Sequence, residues 1–475
     1  MNVFLTHSYF YPMDRKQWKN KTPYPPLATI IALSILKEHA FNTQFYDVAL
    51  DLSSENCRIQ MAQSKPDVVI IYDDGFNYLT KMCLTNMREA CFEMIQEAKS
   101  IGAKVIVSSS DSTDHFEHYH EKGADFIIHG EGEQTLVELC GALKTEATHE
   151  NINGISFKIG DTVVKTPKRV SLKNLEELPM ADWSAIAIEK YRAIWSNSKF
   201  PFTLNISTTR GCPFKCNWCA KPIYGNRYNS KAAGHVVKEI EFLQTNYKVS
   251  HFWITDDIFG LKPGWVKEFN EHIQAKQLKI HYKIQSRADL LMQDEYIDDL
   301  YASGLSEVWI GAESGSQKIL DAMDKGITVD QIQACTKLLK EKRVRVAYFL
   351  QFGYTSENKE DIQHTLEMVK NNRPDDIGIS VSYPLPGTVF FDRVRSEMGI
   401  KTNWTDSDDL DVMFNATYPP LFYKQLQRFV HYTFRYRQGI YKLKHLSSNN
   451  VSYRYVALIP YNFLRAFLLN LKLSL

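Results

Sequence analysis

The sequence has little net charge and no long apolar run. Its 475 residues carry 56 Lys and Arg against 55 Asp and Glu, which gives a formal net charge of +1. Such a balance provides no basic footprint for a nucleic acid, so we expect no nucleic-acid partner. Residues 1–11 lack the basic region and the long apolar region of a secretory signal. No window holds about 18 uninterrupted apolar residues, so we expect no membrane span.

Cysteine is also scarce. The chain has eight cysteines, which are too few for a disulfide framework in a protein of this length. Three of them nevertheless form a C-x3-C-x2-C pattern, as Cys212, Cys216 and Cys219. Soft thiolates that lie close together on one loop favour zinc or an iron–sulfur cluster. Cysteines used in this way are typical of a reducing compartment, so we expect a cytoplasmic protein.

No fourth Cys or His accompanies these three residues, and the next candidates along the chain are His235 and His251. A structural zinc site requires four ligands. Three thiolates on a four-iron cluster would instead leave one iron open to a small molecule, unlike the four-Cys ligation of electron-transfer clusters. The pattern therefore favours a [4Fe-4S] cluster. A zinc knuckle and three unrelated buried thiols remain the alternatives.

Residues 1–145 alternate segments typical of strands with segments typical of helices. This alternation predicts an α/β domain with a doubly wound parallel sheet of the Rossmann-like type, which binds ligands beyond the carboxyl ends of its strands. The predicted strands are 3–5, 43–48, 67–72, 104–108 and 125–129, and the predicted helices are 27–39, 82–100, 115–122 and 133–143. Residues 146–199 are predicted to be a linker with a small hairpin, 155–159 and 163–165.

A second series of strands and helices is predicted over residues 200–395. Six candidate strands in about 200 residues suit an open (β/α)6 partial TIM barrel, since a complete barrel typically needs about 250. These strands are 204–208, 251–255, 281–286, 307–312, 345–352 and 376–382. Residues 396–475 are aromatic and basic, and we expect them to form a helical C-terminal region.

Further motifs flank the cysteines and the predicted strands. They are Thr208-Thr-Arg-Gly211, Trp253-Ile-Thr-Asp-Asp257, Ser286-Arg-Ala-Asp289, Gly311-Ala-Glu-Ser-Gly315 and Ser382-Tyr-Pro-Leu-Pro-Gly-Thr388. Together with the N-terminal domain, and over roughly residues 1–440, the chain resembles the radical S-adenosylmethionine (SAM) proteins that have a cobalamin-binding domain. That group includes methyltransferases acting on unactivated carbon and the anaerobic magnesium-protoporphyrin monomethyl ester cyclase.

The resemblance implies that the three cysteines hold a [4Fe-4S] cluster whose open iron binds SAM. Polar residues at the strand ends of a βα barrel converge on one mouth and would complete the SAM site. The implied contacts are Asp256 and Asp257 with the ammonium group of SAM, Arg287 with its carboxylate in a bidentate fork, Glu313 with the ribose hydroxyls, Ser314 as a further polar contact, and Trp218 against the adenine. The alternative roles are a helix cap for the aspartates, a structural salt bridge for Arg287 and a cover over the cluster for Trp218.

Cobalamin in the N-terminal domain is also implied, with two departures from the family pattern. The Asp-x-His-x-x-Gly motif that supplies a lower His to cobalt is missing, so cobalt would be five-coordinate or bound by water or another side chain. The Gly-Gly pair expected after the fourth strand is replaced by Ser108, Ser109 and Ser110. Gly130-Glu131-Gly132-Glu133 does match, and a helix N-terminus there could face the phosphate-bearing tail. A domain that packs on the barrel without a cofactor is the alternative.

The implied function is that of an enzyme acting on a small-molecule substrate. The reduced cluster would cleave SAM, a 5′-deoxyadenosyl radical would take hydrogen from an unactivated carbon, and methylcobalamin would deliver a methyl group. No residue beyond the cluster ligands is nominated as catalytic. The alternatives are an oxidative cyclisation, a rearrangement or a hydroxylation, and, in another class, a non-catalytic sensor that binds cluster and corrinoid. A reducing electron donor such as flavodoxin or ferredoxin is implied.

The C-terminal segment, Tyr455 to Leu475, is rich in Leu and Phe, with Arg465 and Lys472 between them. Such a segment could lie in a membrane interface with its apolar face buried, which would suit a hydrophobic substrate. The alternative, which the sequence favours, is a terminal helix docked on the barrel.

Overall fold

The computed structural model describes residues 1–76, 84–399, 404, 409–444 and 453–473. Two compact units make up the chain. The first comprises Met1–Pro213, Lys221–Ile284 and Asn403–Asp409, and the second comprises Phe214–Ala220, Gln285–Thr402 and Leu410–Leu475. The predicted helix start at residue 82 and the chain end at 474–475 lie outside the described residues. The division into 1–145, 146–199, 200–395 and 396–475 stays a prediction.

A seven-stranded sheet organises the N-terminal part of the first unit. Its strands are β1 (Asn2–Thr6), β2 (Asn42–Phe45), β3 (Val68–Tyr72), β4 (Lys104–Ser108), β5 (Phe126–Ile128), β6 (Ile155–Ile159) and β7 (Thr162–Lys165). The order is β2-β1-β3-β4-β5-β6-β7, and β1 to β5 run parallel. The order reverses between β1 and β3, which is the position where open sheets of this kind bind ligands.

Several of the helices between these strands bury apolar side chains against the sheet in one core. The core includes Phe4, Val69, Met94, Val107 and Tyr119, all at most 1% exposed. The helices are α1 (Arg15–Asn20), α2 (Leu27–Glu38), α3 (Glu55–Ser64), α4 (Thr85–Ser100), α5 (Ser110–Asp114), α6 (Phe116–Glu121) and α7 (Glu133–Thr145).

The predicted hairpin of β6 and β7 extends this sheet. β6 pairs antiparallel with β5, so that Ile155 lies opposite Ile128 and Phe157 lies opposite Phe126. Ile155 is fully buried, whereas Ile159 at the other end of β6 is 55% exposed. The hairpin joins the sheet because its inward side chains complete the core, an arrangement that the sequence interpretation of a separate linker did not foresee.

All six predicted strands of the second series are present. In the first unit, β11 (His251–Ile254) pairs in parallel with β8 (Thr203–Ile206) and β12 (His281–Ser286), after a short antiparallel pair of β9 (Thr209–Arg210) and β10 (Asn229–Ser230). In the second unit, β14 (Arg345–Phe352) pairs in parallel with β13 (Leu305–Glu313) and β15 (Asp376–Val381). The strand ends named by the motifs therefore lie where the sequence predicted them.

The remaining helices precede, separate or follow these strands, and those after residue 396 form the predicted helical C-terminal region. They are α8 (Ile188–Trp195), α9 (Ala233–Tyr247), α10 (Trp265–Ala275), α11 (Ala288–Leu291), α12 (Tyr296–Ala302), α13 (Gln317–Ala322), α14 (Val329–Glu341), α15 (Lys359–Asn372), α16 (Val389–Val394), α17 (Pro420–Lys444), α18 (Tyr453–Ala457) and α19 (Ile459–Leu473). Among the described helices, none combines the length and the apolarity needed to cross a membrane.

Candidate functional site

Asp256 follows β11 and holds the chain that leads to the cysteines. Its buried carboxylate accepts hydrogen bonds from the backbone N–H groups of Thr208 at 2.8 Å and Thr209 at 3.0 Å, and from the Thr208 hydroxyl. Burial raises the pKa of Asp256 to about 6, although the hydrogen bonds oppose that shift. Asp257 beside it is exposed. The contacts of both aspartates with SAM stay predictions.

The three predicted cluster ligands are partly exposed, and none of them forms a disulfide. Cys212 belongs to the first unit, and Cys216 and Cys219 belong to the second. Within the described part of the chain, no three His, Cys, Asp or Glu side chains gather as ligands of one metal ion. Since residues 211–219 form neither helix nor strand, side-chain contacts decide the course of this loop.

Asn217 anchors the cysteine loop within the second unit. Its side-chain amide donates to the Ala322 carbonyl and to the Asp324 carboxylate, each at 2.8 Å, and accepts from the Tyr354 hydroxyl at 2.8 Å. Its backbone N–H donates to the Met323 carbonyl at 3.1 Å. Asn217 therefore fixes the backbone between two of the three thiols. The sequence analysis did not single it out, because a neutral amide among cysteines carries no signal for a metal.

Arg287 follows β12 and is engaged within the second unit. Its guanidinium donates to both carboxylate oxygens of Asp289, at 2.9 and 3.0 Å, and to the carbonyls of Lys325 at 2.8 Å and Gly326 at 3.3 Å. It also lies over the Phe214 ring, 3.7 Å from the ring centroid. The bidentate fork predicted for the carboxylate of SAM is formed here with Asp289. The SAM contact of Arg287 stays a prediction.

Glu313 ends β13 and forms a buried ion pair with Lys325, with 2.9 Å between Oε1 and Nζ. Its φ of 56° lies in the left-handed region, just after a register shift in the pairing of β13 with β14. Such a bulge re-aims a side chain that strict strand alternation would place elsewhere. Gly311 makes room for the pair, because a Cβ there would lie 2.7 Å from the Lys325 Nζ.

Lys325 is a further site residue to which the sequence analysis gave no role. Burial alone would lower the pKa of Lys325, but its interactions with Glu313 and with the Cys216 sulfur raise it. The ammonium group therefore stays charged beside one of the predicted cluster ligands. Nothing in the sequence around Lys325 predicts that its side chain is buried. Its position beside Glu313 and Cys216 is therefore known only from the structure.

The polar atom of Ser314 has a hydrogen-bond partner, whereas that of Trp218 has none among the described residues. The Ser314 Oγ lies 3.2 Å from the Thr365 Oγ1. Trp218 packs against the apolar cluster that includes Met323, and its buried Nε1 has no hydrogen-bond partner among the described residues. The buried Oγ of Ser286 also has none in that part of the chain. Because buried polar atoms are nearly always paired, these two are candidate ligand contacts.

In the N-terminal sheet, Ser108, Ser109 and Ser110 lie buried at the end of β4. Ser109 begins α5 with a capping box, whereas the Ser110 Oγ has no partner within the described residues. The space that they line with Gly130 is a cavity of only about 10 Å³, the room that roughly one water needs. Ile223 and Tyr224, which follow the cysteine loop, also line this cavity.

Glu131 and Glu133 form ion pairs with buried Arg210, the last residue of β9. One guanidinium nitrogen contacts the Glu131 carboxylate, and the other lies 2.6 Å from the Glu133 Oε1. Burial raises the pKa of Glu131 in spite of this cation. Gly132 permits close packing here, since a Cβ would lie 2.8 Å from the Tyr72 hydroxyl. Arg210, two residues before Cys212, thus connects the β5–α7 loop to the cysteine loop.

Two buried aspartates occupy the reversal point between β1 and β3. The Asp73 carboxylate accepts from the backbone N–H and hydroxyl of Ser8. Asp74 accepts from the N–H groups of Leu27 and Ala28 at the start of α2, so a carboxylate already takes the anion position at this helix N-terminus. Burial raises the pKa of Asp74 to about 6.

The donor sets fit the predicted groups. Three thiols on one loop, none of them in a disulfide, and a buried ammonium that interacts with Cys216 suit an iron–sulfur cluster. The unpaired Trp218 Nε1 and Ser286 Oγ suit a polar ligand such as SAM. The Ser110 Oγ, which has no partner among the described residues, and the close packing at Gly130 and Gly132 suit a cobalamin tail, provided that the small cavity widens.

The sequence of this chain is similar to those of radical SAM proteins. Residues 206–369 match the Radical SAM superfamily. An uncharacterized methyltransferase of Pyrococcus horikoshii is 26% identical over 289 residues, which are 60% of this chain and 62% of that protein. The anaerobic magnesium-protoporphyrin IX monomethyl ester cyclase of Rubrivivax gelatinosus is 25% identical over 388 residues, 79% of this chain and 67% of that protein.

Among solved structures, the cobalamin-dependent SAM radical enzyme OxsB, with aqua-cobalamin and SAM bound, superposes with a TM-score of 0.75 and 17% identity. The match covers 99% of this chain and 72% of that chain. These findings confirm the family resemblance that the motifs indicated. They also confirm the α/β fold class with parallel sheets and a helical C-terminal part.

Proposed function

Because this chain carries a radical SAM domain over residues 206–369, we propose that it cleaves SAM reductively and, with cobalamin, methylates an unactivated carbon of a small molecule. The observation that carries the proposal is the loop of three partly exposed cysteines inside that domain, none of which forms a disulfide. The chain spans 62% of the methyltransferase relative, so the activity is inferred from the site and not transferred whole.

Cys212, Cys216 and Cys219 are the proposed ligands of a [4Fe-4S] cluster. When bound, the cluster supplies an electron to the sulfonium of SAM, and cobalamin supplies the methyl group. Asn217 holds the loop, since its side chain alone makes three hydrogen bonds. The Lys325 ammonium offsets negative charge near Cys216. A low-potential reductant such as flavodoxin or ferredoxin is the proposed electron donor.

The residues proposed to contact SAM lie at strand ends and on the cysteine loop. These residues are Asp256, Asp257, Arg287, Glu313, Ser314 and Trp218. Glu313 and Arg287 already have protein partners, which hold both side chains in fixed orientations before SAM binds. We therefore propose that Glu313 binds SAM through its remaining lone pairs, while Arg287 acts mainly by holding the 325–326 backbone.

Ser108, Ser109 and Ser110 and the loop Gly130-Glu131-Gly132-Glu133 are the proposed cobalamin contacts. The hydroxyls would donate to the tail, and the two glycines would let it approach the backbone. Because the cavity at these residues is only about 10 Å³, cobalamin binding would require its lining, which includes Ile223 and Tyr224, to move. Retention of a corrinoid through gel filtration, read from the electronic spectrum, tests the assignment, and loss of all corrinoid contradicts it.

An oxidative cyclisation is the second candidate function. The specific observation that favours it is the similarity to the Rubrivivax cyclase, which covers 79% of this chain. Mass spectrometry of metabolites from cells with and without the gene distinguishes the two. A gain of one methylene indicates methylation, and a loss of two hydrogens indicates cyclisation.

Anaerobic reconstitution tests the cluster directly. The wild-type chain should bind about four irons and, with dithionite and SAM, release 5′-deoxyadenosine. A chain with Cys212→Ala, Cys216→Ala and Cys219→Ala should bind about none and release no product. Cys140→Ala is the matched control, because Cys140 is a buried thiol on α7 away from the loop. A wild-type chain that retained one zinc and no iron would contradict the proposal.

A further inference from the structure

Helix α19 carries apolar side chains on two of its faces. Its buried stripe is Asn462, Ala466, Leu469 and Leu473, at the four-three-four spacing of one helix face. This stripe belongs to a close pairing with α17, where a Cβ on Gly439 would lie 2.6 Å from the Ile459 side chain. One face of α19 is therefore already used by packing within the second unit.

The opposite face of α19 exposes large apolar side chains. They are Phe463, Leu464, Phe467, Leu468 and Leu471, each between 46% and 63% exposed. Contiguous exposed apolar patches of this kind mark interaction sites. We call these five residues the outer face of α19. Their exposure calls for a partner that covers them.

The charge of the surrounding segment indicates which partner that is. Residues 412–475 contain nine Lys and Arg and no Asp or Glu, although the whole chain is nearly neutral. On α19 itself, Arg465 and Lys472 are exposed and lie seven residues apart, on one side of the outer face. An apolar helix face flanked by basic residues matches an interface of acyl chains beneath anionic headgroups.

We propose that α19 docks this enzyme on an anionic lipid surface, with its outer face buried in the interface and Arg465 and Lys472 at the headgroups. Its 15 residues span about 22 Å, less than the roughly 30 Å hydrocarbon core, so the helix lies in the plane of the surface. A second copy fits less well, since a symmetric contact would bring the same basic side chains together. This inference goes beyond the proposed chemistry and does not depend on it.

Co-sedimentation of the full chain with vesicles tests the proposal. The chain should sediment with vesicles of phosphatidylcholine and phosphatidylglycerol at low salt, and much less with pure phosphatidylcholine. The variant Leu464→Ser, Phe467→Ser, Leu471→Ser should lose about tenfold or more of this affinity. The variant Arg465→Gln, Lys472→Gln should lose roughly fivefold for each charge and respond less to salt.

A matched control removes equally exposed apolar residues elsewhere. Leu52→Ser, Val170→Ser, Phe200→Ser lie in the first unit and should leave vesicle binding unchanged. Circular dichroism and elution volume verify that all variants fold, because none of the substituted α19 side chains belongs to its buried stripe. Failure of the full chain to sediment with anionic vesicles overturns the proposal. A dimer that dissociates in the outer-face variant, without vesicle binding, overturns it in favour of a second copy.

Discussion

At the residue scale, the sequence identified polar side chains at strand ends but not their partners. Arg287 was predicted to hold a carboxylate of SAM, and the fork it forms is with Asp289, two positions along the chain. Glu313 was predicted to meet ribose hydroxyls, and its first partner is Lys325. Position at a strand end follows from the alternation of strands and helices, which is local in sequence. The pairing of Glu313 with Lys325 depends on the bulge near the end of β13 and on the course of the loop that carries Lys325. Local sequence patterns encode neither of them.

The buried pair of Lys325 and Glu313 predicts a large stability effect. Lys325→Met should lower the free energy of unfolding by about 3–5 kcal/mol, because it leaves the Glu313 carboxylate buried without a counter-charge. Denaturant unfolding measures the loss. The double variant Lys325→Met, Glu313→Gln should recover much of it, since no buried charge remains.

The surface pair of Lys342 and Asp298 supplies the control for this experiment. Both side chains are largely exposed, at 44% and 61%. Lys342→Met should therefore cost only about 0–1 kcal/mol. Equal losses for Lys325→Met and Lys342→Met would contradict the inference that burial makes the first pair indispensable.

At the element scale, strong periodic segments were predicted and weak ones were missed. β4, β12 and β14 have the predicted bounds. Helix α3 escaped because it buries only Cys57 and Met61, too few apolar residues to produce a helical period. The hairpin of β6 and β7 was predicted from its turn, but its pairing with β5 is a tertiary contact.

That pairing predicts opposite outcomes for two isoleucines of one strand. Ile155→Ala should cost about 2–5 kcal/mol, because Ile155 is fully buried where β6 joins β5. Ile159→Ala should cost less than about 0.5 kcal/mol, since that side chain is 55% exposed. Thermal or urea unfolding measures both. Similar small losses would show that the hairpin is only a loosely attached linker.

At the scale of the whole molecule, near neutrality conceals an uneven distribution of charge. All 55 acidic residues precede residue 412, and several of their carboxylates are buried at the ends of strands. The composition gives the near-zero net charge, but it does not show where the charged side chains lie in the fold. Burial raises the pKa of Asp74 and Asp256 to about 6, of Asp114 to about 7 and of Glu357 to about 8.

These raised values determine how the stability of the protein depends on pH. A carboxyl group whose pKa is higher in the folded state binds its proton more tightly there. Its contribution to stability is complete below the ordinary pKa, 3.8 for Asp and 4.5 for Glu, and is lost as the pH rises to the folded value. The free energy of unfolding should therefore fall between about pH 4 and pH 8, by up to about 1.4 kcal/mol per pH unit for each such group.

Glu357 dominates the upper part of this range and provides the sharpest test. Its carboxylate accepts one hydrogen bond, from the Gly353 N–H at 2.6 Å, which a glutamine can also accept. Urea unfolding of Glu357→Gln should give a flatter dependence than wild type between about pH 6 and pH 8, because the ionising group is gone. Glu360→Gln, an exposed neighbour on α15, should follow the wild-type curve. Parallel curves for wild type and Glu357→Gln would mean that the Glu357 carboxyl ionises as it does in water, and that burial does not govern it.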